Sequence, residues 1–188
     1  MRIGIYCGSF APVHKGHIKI VREIIKSKLV DKVLIVPTKS YWDKEIKISL
    51  KDRINILKLY QTSKIEIETK LNNVPYTYEL FAKYQKKHPS DELYLIMGAD
   101  NLLQFEKWVN YKTLLENYKF IIIKRDKLNA KYIKDRMKGF NKKDYSILNI
   151  PIIDISSSYI RDNIDSPKLL KNKIDPRVYK YIKENCKL

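Results

Sequence analysis

A chain of 188 residues with 44% hydrophobic side chains is long enough to bury a substantial core, which excludes a disordered chain. Its net charge of +17, from 38 basic and 21 acidic side chains, raises polyanions as partners. The lysines are dispersed among Ile, Asn and Tyr, so nucleic acid is not expected as the main partner. No apolar run approaches a membrane span, no signal-peptide core opens the chain, and Cys7 and Cys186 make no disulfide framework, so a cytoplasmic location is expected.

Arg2–Tyr6 reads as a first strand, and Ile18, Val21, Ile25 and Leu29 recur at helical spacing over His17–Leu29. Lys32–Val36 reads as a buried strand ended by Pro37. Ser49, with Asp52 three residues on, opens a helix to about Tyr60. Ile65 and Ile67 mark a third strand, and Asn72–Pro75 a turn. Thr77 is the expected cap of a helix over Tyr78–Lys87. Leu93–Met97 is a strand ending at Gly98, Asp100–Trp108 a short helix or loop, and Lys112–Glu116 helical. Phe120–Ile123 is a fifth buried strand. A basic helix covers about Ala130–Lys138, within the densest basic stretch, Lys124–Lys143. The last strand is expected within Ile147–Ile155, a helix from Ser156, and a terminal helix opened by Asp175-Pro176. Strands alternating with helices predict an α/β fold: a Rossmann-like, doubly wound, mainly parallel sheet with flanking helices. Residues 1–188 read as one domain, with the helices from about 156 packed on it. The oligomeric state is left open.

Three stretches carry chemistry. Cys7-Gly8-Ser9-Phe10-Ala11-Pro12-Val13-His14-Lys15-Gly16-His17 lies between the first strand and the first helix. Glycines, two imidazoles three residues apart and a helix N-terminus suit a phosphate. A metal site is the other use of such a pair, but no cysteine or carboxylate lies within a turn to complete it, and no protein metal ligands are expected. Ile155-Ser156-Ser157-Ser158-Tyr159-Ile160-Arg161 offers hydroxyls and a guanidinium at a strand-to-helix junction, for capping or for phosphate. In Met97-Gly98-Ala99-Asp100-Asn101-Leu102, Gly98 admits a ligand closely, Asp100 suits a ribose hydroxyl, and Trp108 beyond it is either core or a stacking platform.

The first stretch, G-S-F-x-P-x-H-x-G-H, resembles the nucleotide-binding signature of the nucleotidyltransferase superfamily, with Ala11 where Asp or Asn is usual. I-S-S-S/T-x-I-R resembles its second signature, in the right order. G-A-D-N-L followed by Trp, the segment Pro75–Leu80 and the terminal Val178–Ile182 are similar to the nicotinate mononucleotide adenylyltransferase branch. Phosphopantetheine adenylyltransferases usually carry Thr at the place of His14. The resemblance runs from Arg2 almost to the C-terminus. It implies transfer of the adenylyl group of ATP to nicotinate mononucleotide, with Mg2+ accompanying ATP. It implies His14, His17 and Arg161 as catalytic residues. Gly8, Ser9, Phe10, Gly98, Asp100, Ser157 and Ser158 would join His17 and Arg161 in binding ATP. Lys44, Tyr76, Thr77 and Trp108 would bind the mononucleotide. Arg53 also fits the family pattern, as a residue of structure. The branch's P-x-x-x-P-P-H-K/R loop is altered here to Pro37-Thr38-Lys39-Ser40-Tyr41-Trp42-Asp43-Lys44. That alteration leaves other reactions open: nicotinamide mononucleotide or phosphopantetheine as acceptor, or a CTP-dependent transfer.

Overall fold

A computed structural model describes residues 1–38, 47–124, 129–151 and 155–186. Its six described strands are β1 (Arg2–Gly8), β2 (Lys32–Pro37), β3 (Ile65–Ile67), β4 (Glu92–Gly98), β5 (Lys119–Lys124) and β6 (Tyr145–Asn149). They form one parallel sheet in the order β3-β2-β1-β4-β5-β6. The helices are α1 (Lys15–Lys26), α2 (Leu50–Lys58), α3 (Thr77–Lys87), α4 (Tyr111–Asn117), α5 (Ala130–Gly139), α6 (Ser157–Asp162), α7 (Pro167–Leu170) and α8 (Pro176–Asn185). A 3-10 stretch, Ala99–Lys107, follows β4 directly.

The middles of the central strands are apolar because both faces of the sheet are covered. Alternate residues divide between two cores, as the strand period of two requires. Ile3, Ile5, Leu34, Leu95 and Ile122 pack against α3, α4, α5 and the 3-10 stretch through Phe81, Leu114, Ile133 and Phe105. Val33, Ile35, Ile96, Ile121 and Ile123 pack on the other face against α1 and α2, and against the C-terminal helices through Ile160, Val178 and Ile182. Tyr181 of α8 docks on α2: its hydroxyl donates to Asp52 at 3.0 Å and accepts from Asn55 at 2.9 Å.

Several boundaries differ from expectation. α1 begins at Lys15, two residues early, because His14 takes the N-cap position. α3 begins at Thr77, with Tyr76 rather than Thr77 as its N-cap. The last strand is Tyr145–Asn149, so the expected Ile147–Ile155 overlaps only its second half. β6 is an edge strand and its residues are only partly buried or exposed, so it lacks the apolar density that marks its neighbours. Arg136 in the basic helix is no free surface charge: it donates to the Leu102 carbonyl at 3.0 Å and to Glu106 at 2.6 Å. Among the described residues no helix is long and apolar enough to cross a membrane.

Candidate active site

The strand order reverses between β1 and β4, and parallel sheets open a crevice there beyond the carboxyl ends of the strands. A cleft of about 690 Å³ occupies that place. Gly8, Ser9 and Phe10 form its floor at the end of β1, and Gly98 and Asp100 form it at the end of β4. His17 enters from α1. Tyr76 and Thr77, at the start of α3, and Trp108, after the 3-10 stretch, close the other side.

The loop after β1 holds an unusual conformation. Phe10 has φ +47°, in the left-handed region, which costs about 1–3 kcal/mol for a side chain of this size. Its ring is buried and meets Tyr6 and His17 edge-on, at centroid distances of 5.4 and 5.0 Å. A side chain at Gly8 would meet that ring at 3.1 Å, so the glycine leaves room for Phe10. The carbonyls of the loop are held from outside the cleft. Arg53 donates to Ser9 at 2.7 Å, Arg161 to Ala11 at 2.6 Å, and the Ser157 hydroxyl to Pro12 at 2.9 Å.

His14 and His17 divide their work. His14 is 5% exposed, caps α1 and stacks on His17 with ring centroids 3.7 Å apart. Its backbone N–H donates to Nδ1 of His17 at 3.3 Å. A neutral His17 therefore carries its proton on Nε2, which makes that atom a donor. The glycine between them is a steric need, because a Cβ at Gly16 would lie 3.0 Å from Nδ1 and Cε1 of His14.

The cleft thus brings together Gly8, Ser9, Phe10, His17, Gly98, Asp100, Tyr76, Thr77 and Trp108. His14, Ser157, Ser158 and Arg161 do not line it. His14 lies beneath His17, and Ser157 and Arg161 turn their polar atoms onto the loop after β1; Arg161 also donates to Ser158 Oγ at 3.1 Å. Ser156 caps α6 by accepting from the Tyr159 N–H at 3.0 Å. Lys44, with Tyr41 to Asp43, lies outside the described residues. Trp108 is half-buried: it lines the cleft and leans on Phe105, with ring centroids 5.2 Å apart. Sequence reasoning missed Lys107, which carries the only fixed positive charge among the described residues lining the cleft. Its adjacency to Trp108 was the available signal. Cys7 also lines the cleft, and burial pushes its thiol up to about 12. Among the described residues no group of three or more His, Cys, Asp or Glu is placed to hold a metal ion.

A model of the cytidylyltransferase-like family matches residues 5–163, a span that contains both signature stretches. The chain belongs to this family. Two full-length relatives from bacteria carry the name "Probable nicotinate-nucleotide adenylyltransferase". The one from Flavobacterium psychrophilum is 34% identical over 189 residues, covering 97% of this chain and 96% of the relative. The one from Clostridium tetani is 32% identical, covering 96% and 95%. Among solved structures, Plasmodium falciparum nicotinic acid mononucleotide adenylyltransferase complexed with NaAD is similar at 25% identity, with a TM-score of 0.81 over 97% of this chain and 95% of that one. The family's α/β sheet with flanking helices is the architecture found here. The family match spans both signature stretches, and the relatives cover almost the whole chain.

Proposed function

We propose that the chain transfers the adenylyl group of ATP to nicotinate mononucleotide, releasing pyrophosphate and forming nicotinate adenine dinucleotide for NAD synthesis. The observation that carries this reading is full-length likeness to relatives named for that activity, in a chain whose cleft lies at the sheet's switch point. The nucleophile is a phosphate oxygen of the mononucleotide, ionised at neutral pH. It forms a bond to the α-phosphorus of ATP as the bond from that phosphorus to the bridging oxygen breaks. No proton must be removed, so no general base is needed, and the protein supplies position and positive charge.

In this reading the triphosphate lies over the loop Ser9–Pro12 and the N-terminus of α1, a twelve-residue helix whose dipole favours an anion. The Nε2–H of His17 donates to phosphate oxygens, and His14 holds that ring in place. Asp100 takes a ribose hydroxyl. Arg161, bonded also to Ser158, and Ser157 act from α6 through the loop after β1, by holding its Ala11 and Pro12 carbonyls. The pyridine ring stacks on Trp108 beside Tyr76 and Thr77, and the Lys107 ammonium next to it favours a ring carrying a carboxylate over a neutral amide. A Mg2+ accompanying ATP would supply screening of the charge on the departing pyrophosphate. Such an ion binds mostly through substrate oxygens and water, which suits a cleft with Asp100 as its described carboxylate.

The test is pyrophosphate release from ATP and Mg2+ with a panel of acceptors. Nicotinate mononucleotide is expected to react best. Faster turnover with nicotinamide mononucleotide or phosphopantetheine, or with CTP in place of ATP, would replace this assignment with another transfer on the same site.

A further inference from the structure

Arg53 is the most buried charged residue in the described structure, at 2% exposure. It sits in α2, outside both signature stretches. A buried guanidinium normally meets a carboxylate. Among the described residues, Arg53 makes no ion pair, and its Nε has no hydrogen-bond partner. Its two bonds come from Nη1, to the carbonyls of Ser9 and Thr38, each at 2.7 Å. Burial lowers its pKa from the ordinary arginine value.

The two carbonyls belong to different loops. Ser9 follows β1 and Thr38 follows β2, and both line the cleft. The guanidinium therefore ties together, from beneath, the two loops that leave adjacent strands at the site. The trans peptide is planar, so the Ser9 carbonyl turned down to Arg53 directs the Phe10 N–H to the opposite side. Phe10 itself is held in its left-handed conformation between two carbonyls gripped by arginines, Ser9 by Arg53 and Ala11 by Arg161. The fold thus keeps a buried guanidinium, without an ion pair among the described residues, directly behind a loop that faces the cleft.

We infer that Arg53 is a positioning residue for the triphosphate: by gripping the Ser9 and Thr38 carbonyls from behind the cleft it sets the backbone of the loop after β1, without touching the ligand. This inference rests on the reading of ATP as substrate. Displacing a reacting group by about 1 Å costs on the order of 100-fold in rate. Arg53→Lys keeps the charge as a compact point on a shorter stem, so it weakens the grip on both carbonyls.

The experiment compares wild type, Arg53→Lys and Arg53→Ala by melting, by calorimetric titration with ATP alone, and by turnover with saturating mononucleotide. Arg53→Lys is expected to melt cooperatively, bind ATP about tenfold more weakly and turn over about 100-fold more slowly, with the KM for mononucleotide little changed. In Arg53→Ala, millimolar guanidinium chloride is expected to restore part of the ATP binding, where sodium chloride at equal ionic strength does not. A folded Arg53→Lys with wild-type ATP affinity and turnover would overturn the inference. So would equal losses for ATP and mononucleotide without guanidinium rescue. If the wild type binds ATP but makes no pyrophosphate with any acceptor, the proposed reaction fails, while the titrations with ATP alone still decide the role of Arg53.

Discussion

Replacing Gly16 by alanine separates the stability of the α1 N-terminus from its use. Gly16 lies in the first turn of α1 without a positive φ, so the backbone accepts alanine and the helix gains about 1 kcal/mol from its better propensity. The new methyl would lie 3.0 Å from Cε1 and Nδ1 of His14 and 3.3 Å from Cγ2 of Ile155. Those neighbours must give way by a few tenths of an ångström, an overpacking cost of about 1–3 kcal/mol. The net destabilisation is about 0–2 kcal/mol, a fall in Tm of about 8 °C at most for a chain of this length. The His14 ring cannot yield freely, because it stacks on His17 at 3.7 Å, so the strain passes to His17 at the cleft. Loss of one preorganised donor costs about 10²–10³-fold in turnover. Calorimetry and pyrophosphate release on the same preparation measure both effects. A folded Gly16→Ala protein with near-normal kcat/KM for ATP would refute the stacked-histidine account of the site.

Arg161→Ala is expected to lower both activity and stability, since it removes the 2.6 Å bond to Ala11; a hydrogen bond from a charged group contributes about 1.5–3 kcal/mol, and a melting curve together with turnover reads both losses. Trp108→Ala should weaken binding of the mononucleotide by about 0.5–1.5 kcal/mol, roughly two- to twelvefold, and leave ATP binding unchanged, with Trp108→Phe retaining part; equal loss for both substrates with a melting loss of about 3–5 kcal/mol would mark it as core alone. Cys7 has a folded pKa of about 12, above the ordinary thiol value. Between the two values the native state holds a proton that the unfolded chain releases. The contribution of Cys7 to stability is therefore complete at neutral pH and falls as pH rises through that window. Cys7→Ala should lose less stability than wild type between pH 8 and pH 11, tested by denaturant unfolding across that range; parallel pH curves would contradict the burial of the thiol.

Much of the fold was legible because local chemistry dictates it. Continuous apolar runs such as Val33–Val36 and Phe120–Ile123 fit only strands covered on both faces, and Ser49 with Asp52 marks the start of α2, where the Ser49 hydroxyl accepts the Asp52 N–H at 3.1 Å. The first signature stretch stood out by residue type and spacing, the second only by its resemblance to the family pattern. β6 escaped because an edge strand buries little, so its residues lack a strong pattern. The division of labour at the site was not legible at all. Spacing put His14 and His17 on one turn, but only the packed α1 turns His14 inward as a cap and leaves His17 at the cleft. Arg161 and Ser157 lie some 150 residues from the loop they grip, and Arg53 joins loops from two different strands. Local sequence encodes a residue's period and its propensity. Which carbonyl a guanidinium meets depends on the strand order β3-β2-β1-β4-β5-β6, and that order exists only once the sheet has formed.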